Sequence, residues 1–212
     1  MPLDATVTKA LDEWVEVGQW IDVRTHVLDI PGDACVQIAA ACFDIVLEHQ
    51  MAIATLVKSE LCGSALAFLR VIAEAYIRGE WFKRCGTPAV AESFRGTDFI
   101  RSGGIDALVK DVEADLGHAT DTLSNIVKDQ WGPLSGFTHT GFLQITRRYS
   151  GPLLKPNYPS AEILQGLRFA TTMGFLAALG LAHLSDNLKL AAEIVERMRQ
   201  IVERAEAAGI ST

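Results

Sequence analysis

Between Met51 and Ile77 the chain carries only four charged side chains, Lys58, Glu60, Arg70 and Glu74. A helix so apolar around its circumference belongs in the middle of a bundle, wrapped by other helices. The informative part is Ser64 to Arg84, SALAFLRVIAEAYIRGEWFKR. At ~100° per residue, Trp81 falls about 20° from Arg70, Glu74 about 40°, Ala67 about 60° and Arg78 about 80°. Phe68, Ile72 and Ala75 lie on the opposite side. Arg70 and Glu74 are therefore expected to face the interior or a cleft lined by small side chains. Burying one ion alone costs several kcal/mol, so the two are expected to pair. A guanidinium also grips carboxylate or phosphate through a bidentate fork. The residues fit an architectural ion pair and a ligand site alike.

Apolar spacing predicts helices on both sides of this one. The first runs from about Asp4 to Ile21, with Leu11, Trp14, Val15 and Gly18 on one face. Asp33 is the expected N-cap of a long helix over 34–59. Gly63-Ser64 is a candidate boundary or kink, and Cys85-Gly86-Thr87-Pro88 a stop. A short helix near 89–96 leads to a break at Ser102-Gly103-Gly104. Acidic amphipathic pieces follow over 105–115 and 119–130. Trp131-Gly132-Pro133 opens a helix from Leu134 to Arg148, and an ordered loop spans 150–160. An apolar helix follows over 160–184, in which Ala170, Gly174 and Ala178 form a row of small residues that permits close approach. Ser185 or Asp186 is expected to cap a last helix, striped by Leu188, Ala191, Ile194, Val195, Met198, Ile201, Val202 and Ala205 and ended by Gly209. No strand is predicted. The expected architecture is an all-α, single-domain bundle of about seven to eight helices over 1–212, mostly antiparallel. Residues 1–33 form an N-terminal helix and loop, 34–148 the core and 160–208 a C-terminal helical pair.

Charge excludes some functions. With 26 acidic and 19 basic residues the net charge is −7, so specific duplex DNA is not an expected partner. The acids concentrate in residues 1–60, whereas 61–104 and 131–170 are net basic and could form one local anion site. Cys35, Cys42, Cys62 and Cys85 lack metal spacing and read as free core thiols of a reducing compartment. Met1 to Asp4 has neither the basic nor the apolar region of a leader. Phe169 to Leu184 is shorter than the roughly 20 residues of a membrane span. The expected setting is cytoplasmic, with no membrane partner.

The second constellation is LSGFTHTGFLQITRR, Leu134 to Arg148. On one continuous helix Ser135, His139, Phe142 and Thr146 share a face, with Arg147 about 80° from His139. Gly136 and Gly141 suggest that something packs close. Ser135 and His139 do not make a hydrolase pair, because no G-x-S-x-G elbow and no acidic orienter accompany them. His26, His49, His118 and His183 are isolated. Asp115-His118 is the nearest approach to a carboxylate–histidine metal motif, so neither metal nor cofactor is expected.

The order SALAFLRVIAEAYIRGEWFKRC, then LSGFTHTG about fifty residues on, resembles a family of uncharacterised bacterial helical proteins that pairs an S-A-x4-R-x3-E helix with an S-x3-H helix. The resemblance covers roughly 35–148. Such proteins are distantly similar to the HEPN superfamily, helical domains that often dimerise and include RNA-cleaving toxins and phage-defence nucleases. HEPN nucleases carry an arginine four to six residues before a histidine on one helix. That spacing is absent here: Arg24 and His26 are too close, and Arg168 and His183 too far apart.

The sequence thus points to a non-catalytic binding or interaction module with a polar cleft. The ligand-binding candidates are Arg70, Glu74, Arg78, Trp81, Ser135, His139 and Arg147, with His139 the one catalytic candidate. The alternatives are a HEPN-like ribonuclease or defence enzyme with a variant site, and a structural subunit of a complex. Expected partners are a second copy through apolar helices and an anionic ligand or RNA.

Overall fold

Helices begin where the chain supplies a cap. In the computed structural model, which describes residues 3–117 and 121–207, Asp4 accepts the Thr6 N–H at 2.6 Å and opens α1, Ala5–Thr25. Asp33 accepts the Cys35 and Val36 N–H groups at 2.9 and 3.1 Å and opens α2, Ala34–Lys58, as the sequence predicts. The central helix α3 is Cys62–Cys85. Thr87 caps α4, Pro88–Thr97, with proline in the first turn. Then come α5, Gly104–Asp115, the short α6, Thr122–Asn125, and a π turn over Ile126–Gln130. The order closes with α7, Trp131–Thr138, α8, Phe142–Thr146, a hairpin of β1, Tyr149–Ser150, and β2, Leu153–Leu154, and the long helices α9, Ser160–Leu184, and α10, Leu188–Ala207.

The core is a layer of α2, α3 and α9, with α1 against α2 and α9, α5 and α7 against α3, and α10 against α9. Phe43 sits at its centre, fully buried. Its ring lies between two backbones: a Cβ on Gly79 of α3 would come within 2.7 Å of it, and one on Gly180 of α9 within 2.6 Å. Glycine at both positions lets the helices close on the ring. By length and composition α2 and α9 are apolar enough to cross a membrane, and both contribute to this core.

Several elements differ from the sequence expectation. Gly63-Ser64 is no boundary but lies inside the first turn of α3. The helix expected over 134–148 is broken after Thr138. His139 is its C-cap, Thr140 takes the left-handed conformation at φ 53°, and the Gly141 N–H donates to the Gly136 carbonyl at 2.8 Å. This is a Schellman end, in which the chain turns back on itself. What packs close to Gly136 is Gly141 of the same chain: a Cβ there would lie 2.9 Å from the Gly136 Cα. Residues 150–160 include a hairpin strand, Tyr149 opposite Leu154, turned by Gly151 at positive φ and Pro152. Neither Ser185 nor Asp186 caps α10. Asp186 holds the left-handed position after α9, and Asn187 accepts the Leu190 N–H at 3.0 Å. On α10 the expected stripe is divided. Ala191 and Ile194 are buried, but Leu188, Val195 and Val202 face outward. His118, Gly209 and the side chain of Ala205 lie outside the described residues.

Candidate functional site

The charged face of α3 is built by helical spacing and completed by α7. The Arg70 Nε donates to Glu74 Oε1 at 2.8 Å, its Nη1 donates to Ser135 Oγ, and its guanidinium lies 4.7 Å from the centre of the Trp131 ring. Three partners thereby hold the cation: a carboxylate along its own helix, a hydroxyl across the helix pair, and an aromatic ring. The Ser135 hydroxyl donates to the Trp131 carbonyl at 2.6 Å. Its proton is thus held by a backbone carbonyl, which cannot take it up as the general base of an activated nucleophile would. The Thr138 hydroxyl, 3.1 Å from the Ala67 carbonyl, adds a second tie between α7 and α3.

The pair is half-buried, with side chains 21% and 26% exposed. Arg78 extends the row loosely, its Nη2 lying 3.9 Å from Glu74 Oε2. Trp81 turns inward instead: it is buried, and its indole N–H donates to Asp111 Oδ2 of α5 at 2.8 Å. Asp111 also pairs with Arg101. The Arg101 guanidinium, with the Trp81 N–H, holds the Asp111 carboxyl below its ordinary range against a smaller opposing effect of burial. Arg147 belongs to another contact. It forms a forked pair with Glu162 at 2.8 and 3.3 Å, fastening the end of α8 to the start of α9 and raising its own pKa.

His139 is exposed at the end of α7, and its side chain makes no hydrogen bond among the described residues. A small cavity of about 220 Å³ opens nearby, lined by Gly63, Ser64, Thr140, Gln144, Ile145 and Arg148. The structure thus brings Arg70, Glu74 and Ser135 together. It sets Arg78 at the edge and places Trp81, His139 and Arg147 in separate surroundings.

Sequence reasoning missed the more deeply buried acids. Glu80 is 6% exposed and is met by Lys83 at 3.1 Å and Arg84 at 2.8 Å. The signal was present, since cations three and four residues on share its helical face. Glu113, 4% exposed, accepts the Ser124 N–H at 2.8 Å and the Ser124 hydroxyl. It caps the start of α6 from another helix, a tertiary contact without a local signature. Trp131, which stacks on Arg70, stands out in the sequence only as part of the helix-opening Trp131-Gly132-Pro133. No group of three or more metal-ligating side chains occurs among the described residues.

Fold and site together define an all-α bundle whose charged residues brace helix to helix. The chain belongs to DUF6988, a family of unknown function, whose model matches residues 43–205. That span runs from the central Phe43 to the last helix and includes every residue of the α3–α7 brace. Neither a curated protein nor a solved structure matches the chain.

Proposed function

We propose that this protein is a non-catalytic interaction module that docks a protein partner on α8 and the hairpin. The observation that carries this reading is the exposure of five large apolar side chains within residues 142–154: Phe142 at 83%, Leu154 at 77%, Leu153, Tyr149 and Ile145. Soluble domains seldom leave such side chains clustered in the open unless something covers them. Arg148 and Lys155, both exposed, flank them. Like charges would oppose two copies of this surface meeting face to face, so the fitting partner is an acidic protein surface with apolar anchors. The α3–α7 brace has a role in this reading. By fixing α7 on α3 it sets where α8 and the hairpin emerge. The committed Ser135 proton and the unpartnered His139 side chain support a binding role over a hydrolytic one.

The experiment is site-specific photo-crosslinking from position 142 in cells. The expected result is an adduct with a different protein, lost when Arg148→Glu and Leu154→Asp are introduced. Three results would overturn the reading: no adduct, an adduct of twice the chain's mass, or RNA degradation by the wild type that His139→Ala abolishes.

A further inference from the structure

The last helix carries a second apolar row that the fold leaves exposed. α10 meets the body through Leu190, Ala191 and Ile194, which are buried beside Phe175 and Ala178. At ~100° per residue, Leu188, Val195 and Val202 lie roughly 120–160° around the helix from Leu190. They are 69%, 52% and 44% exposed. Ala192, also exposed, stands beside them, and half-buried Met198 joins the row to the edge of the core. A helix that only covered a core would carry polar residues on this side.

The row recurs every seven residues. With Ala192 and Arg199 in between, the steps alternate four and three, which is the seam of a helix pair rather than a scatter of surface valines. Arg199 is compatible with such a seam. Its guanidinium is drawn aside by Glu196, at 2.7 and 2.9 Å, and by Glu203, which leaves its carbon stem over the row.

Charge on the open edge decides what fits against the seam. Lys189, Glu196 and Glu203 each follow a row residue by one position and so line a single edge. Set parallel to a second copy, α10 would bring Arg199 against Arg199. Set antiparallel, Arg199 lies against Val195, Ala192 against Val202, and Lys189 of each copy meets Glu203 of the other. Glu196 then falls near the twofold axis, with its charge already matched by Arg199. The same surface is thus complementary to itself in apolar order and in charge, as an isologous contact requires.

We infer that two copies of this chain associate through α10, antiparallel about a twofold axis close to Glu196. The seam contains none of residues 142–155, so the dimer presents two copies of the docking surface, and either surface can fail without the other.

The test is sedimentation velocity of the full chain from about 1 to 500 µM. A seam this short should give a reversible dimer with Kd on the order of 10 µM. Val195→Glu, at an exposed position, should stay monomeric over the whole range with the circular dichroism of wild type. Lys189→Glu and Glu203→Lys should each weaken the dimer about tenfold, because two attractive contacts become repulsive. Combining the two reversals should recover most of the lost affinity. The inference is overturned if the wild type stays monomeric to the highest concentration, the result expected if a different protein covers the seam. A Val195→Glu variant that dimerises like wild type also overturns it, as does a combined variant no tighter than the single ones.

Discussion

Ser135 and His139 are four residues apart in sequence and differ in every physical respect. The Ser135 hydroxyl bridges the Arg70 guanidinium and the Trp131 carbonyl, whereas the His139 ring stands in solvent past the last turn of α7. Their substitutions should separate accordingly. Ser135→Ala leaves a half-buried cation short of a partner and is expected to cost about 1–2 kcal/mol in urea unfolding. His139→Ala is expected to stay within about 0.5 kcal/mol of wild type, as exposed side chains do. Equal losses in the two variants would show that the α3–α7 brace is not what Ser135 contributes. The cysteines are a residue-scale matter too. Burial raises all four thiols, Cys42 to about 11, so they remain protonated near neutral pH and behave as small core hydrophobes.

At the scale of elements, Asp111 ties α5 to α3 beside the Arg84–Asp115 pair and the buried Leu108, Val109 and Val112. Asp111 accepts from Trp81 and Arg101, and the Arg101 guanidinium above all holds its pKa below the ordinary aspartate value. A lowered folded-state pKa stabilises the protein above the unfolded value, and that contribution is lost as pH falls through the folded one. The Asp111 contribution to the attachment of α5 should therefore be intact at neutral pH and be lost only at acid pH, below the ordinary aspartate range. Trp81 fluorescence should report a transition there, and Asp111→Asn should abolish it. A transition of unchanged amplitude in the variant would assign it to another group.

The same scale shows what sequence can and cannot disclose. α2 and α9 were legible because long apolar periodicity, and for α2 an aspartate cap, agreed. The Arg70–Glu74 pair was legible because its spacing is local. The break at His139 was not recognised, since Leu134 to Arg148 keeps a helical pattern of apolar residues throughout. Its trace is two glycines five apart, the positions a Schellman turn brings together, with a β-branched Thr140 where glycine is usual. Because of that break, the expected face of Ser135, His139, Phe142 and Thr146 does not form. Ser135's partner is a residue far along the chain, and no local rule supplies such a contact.

Across the whole molecule, acidic and basic regions belong to different elements. The acidic N-terminal third forms α1 and α2, and the basic stretch after Trp131 carries the exposed apolar row of α8 and the hairpin. The α3 row between them is turned to bracing. α10 joins through Leu190, Ala191 and Ile194, a smaller cluster centred on Phe175 and Ala178.

The position of Phe43 between Gly79 and Gly180 has a kinetic consequence. With backbone against both ring edges, α3 and α9 cannot separate by rotating a side chain aside; the ring itself must leave. Amides in the middle of α2, α3 and α9 should thus exchange with deuterium only in one shared opening event, with a common free energy under native conditions. The α10 amides should exchange earlier, through an opening of their own. If α9 instead exchanged together with α10 and ahead of α2, the ring would not be the fastener that sets the order in which this bundle comes apart.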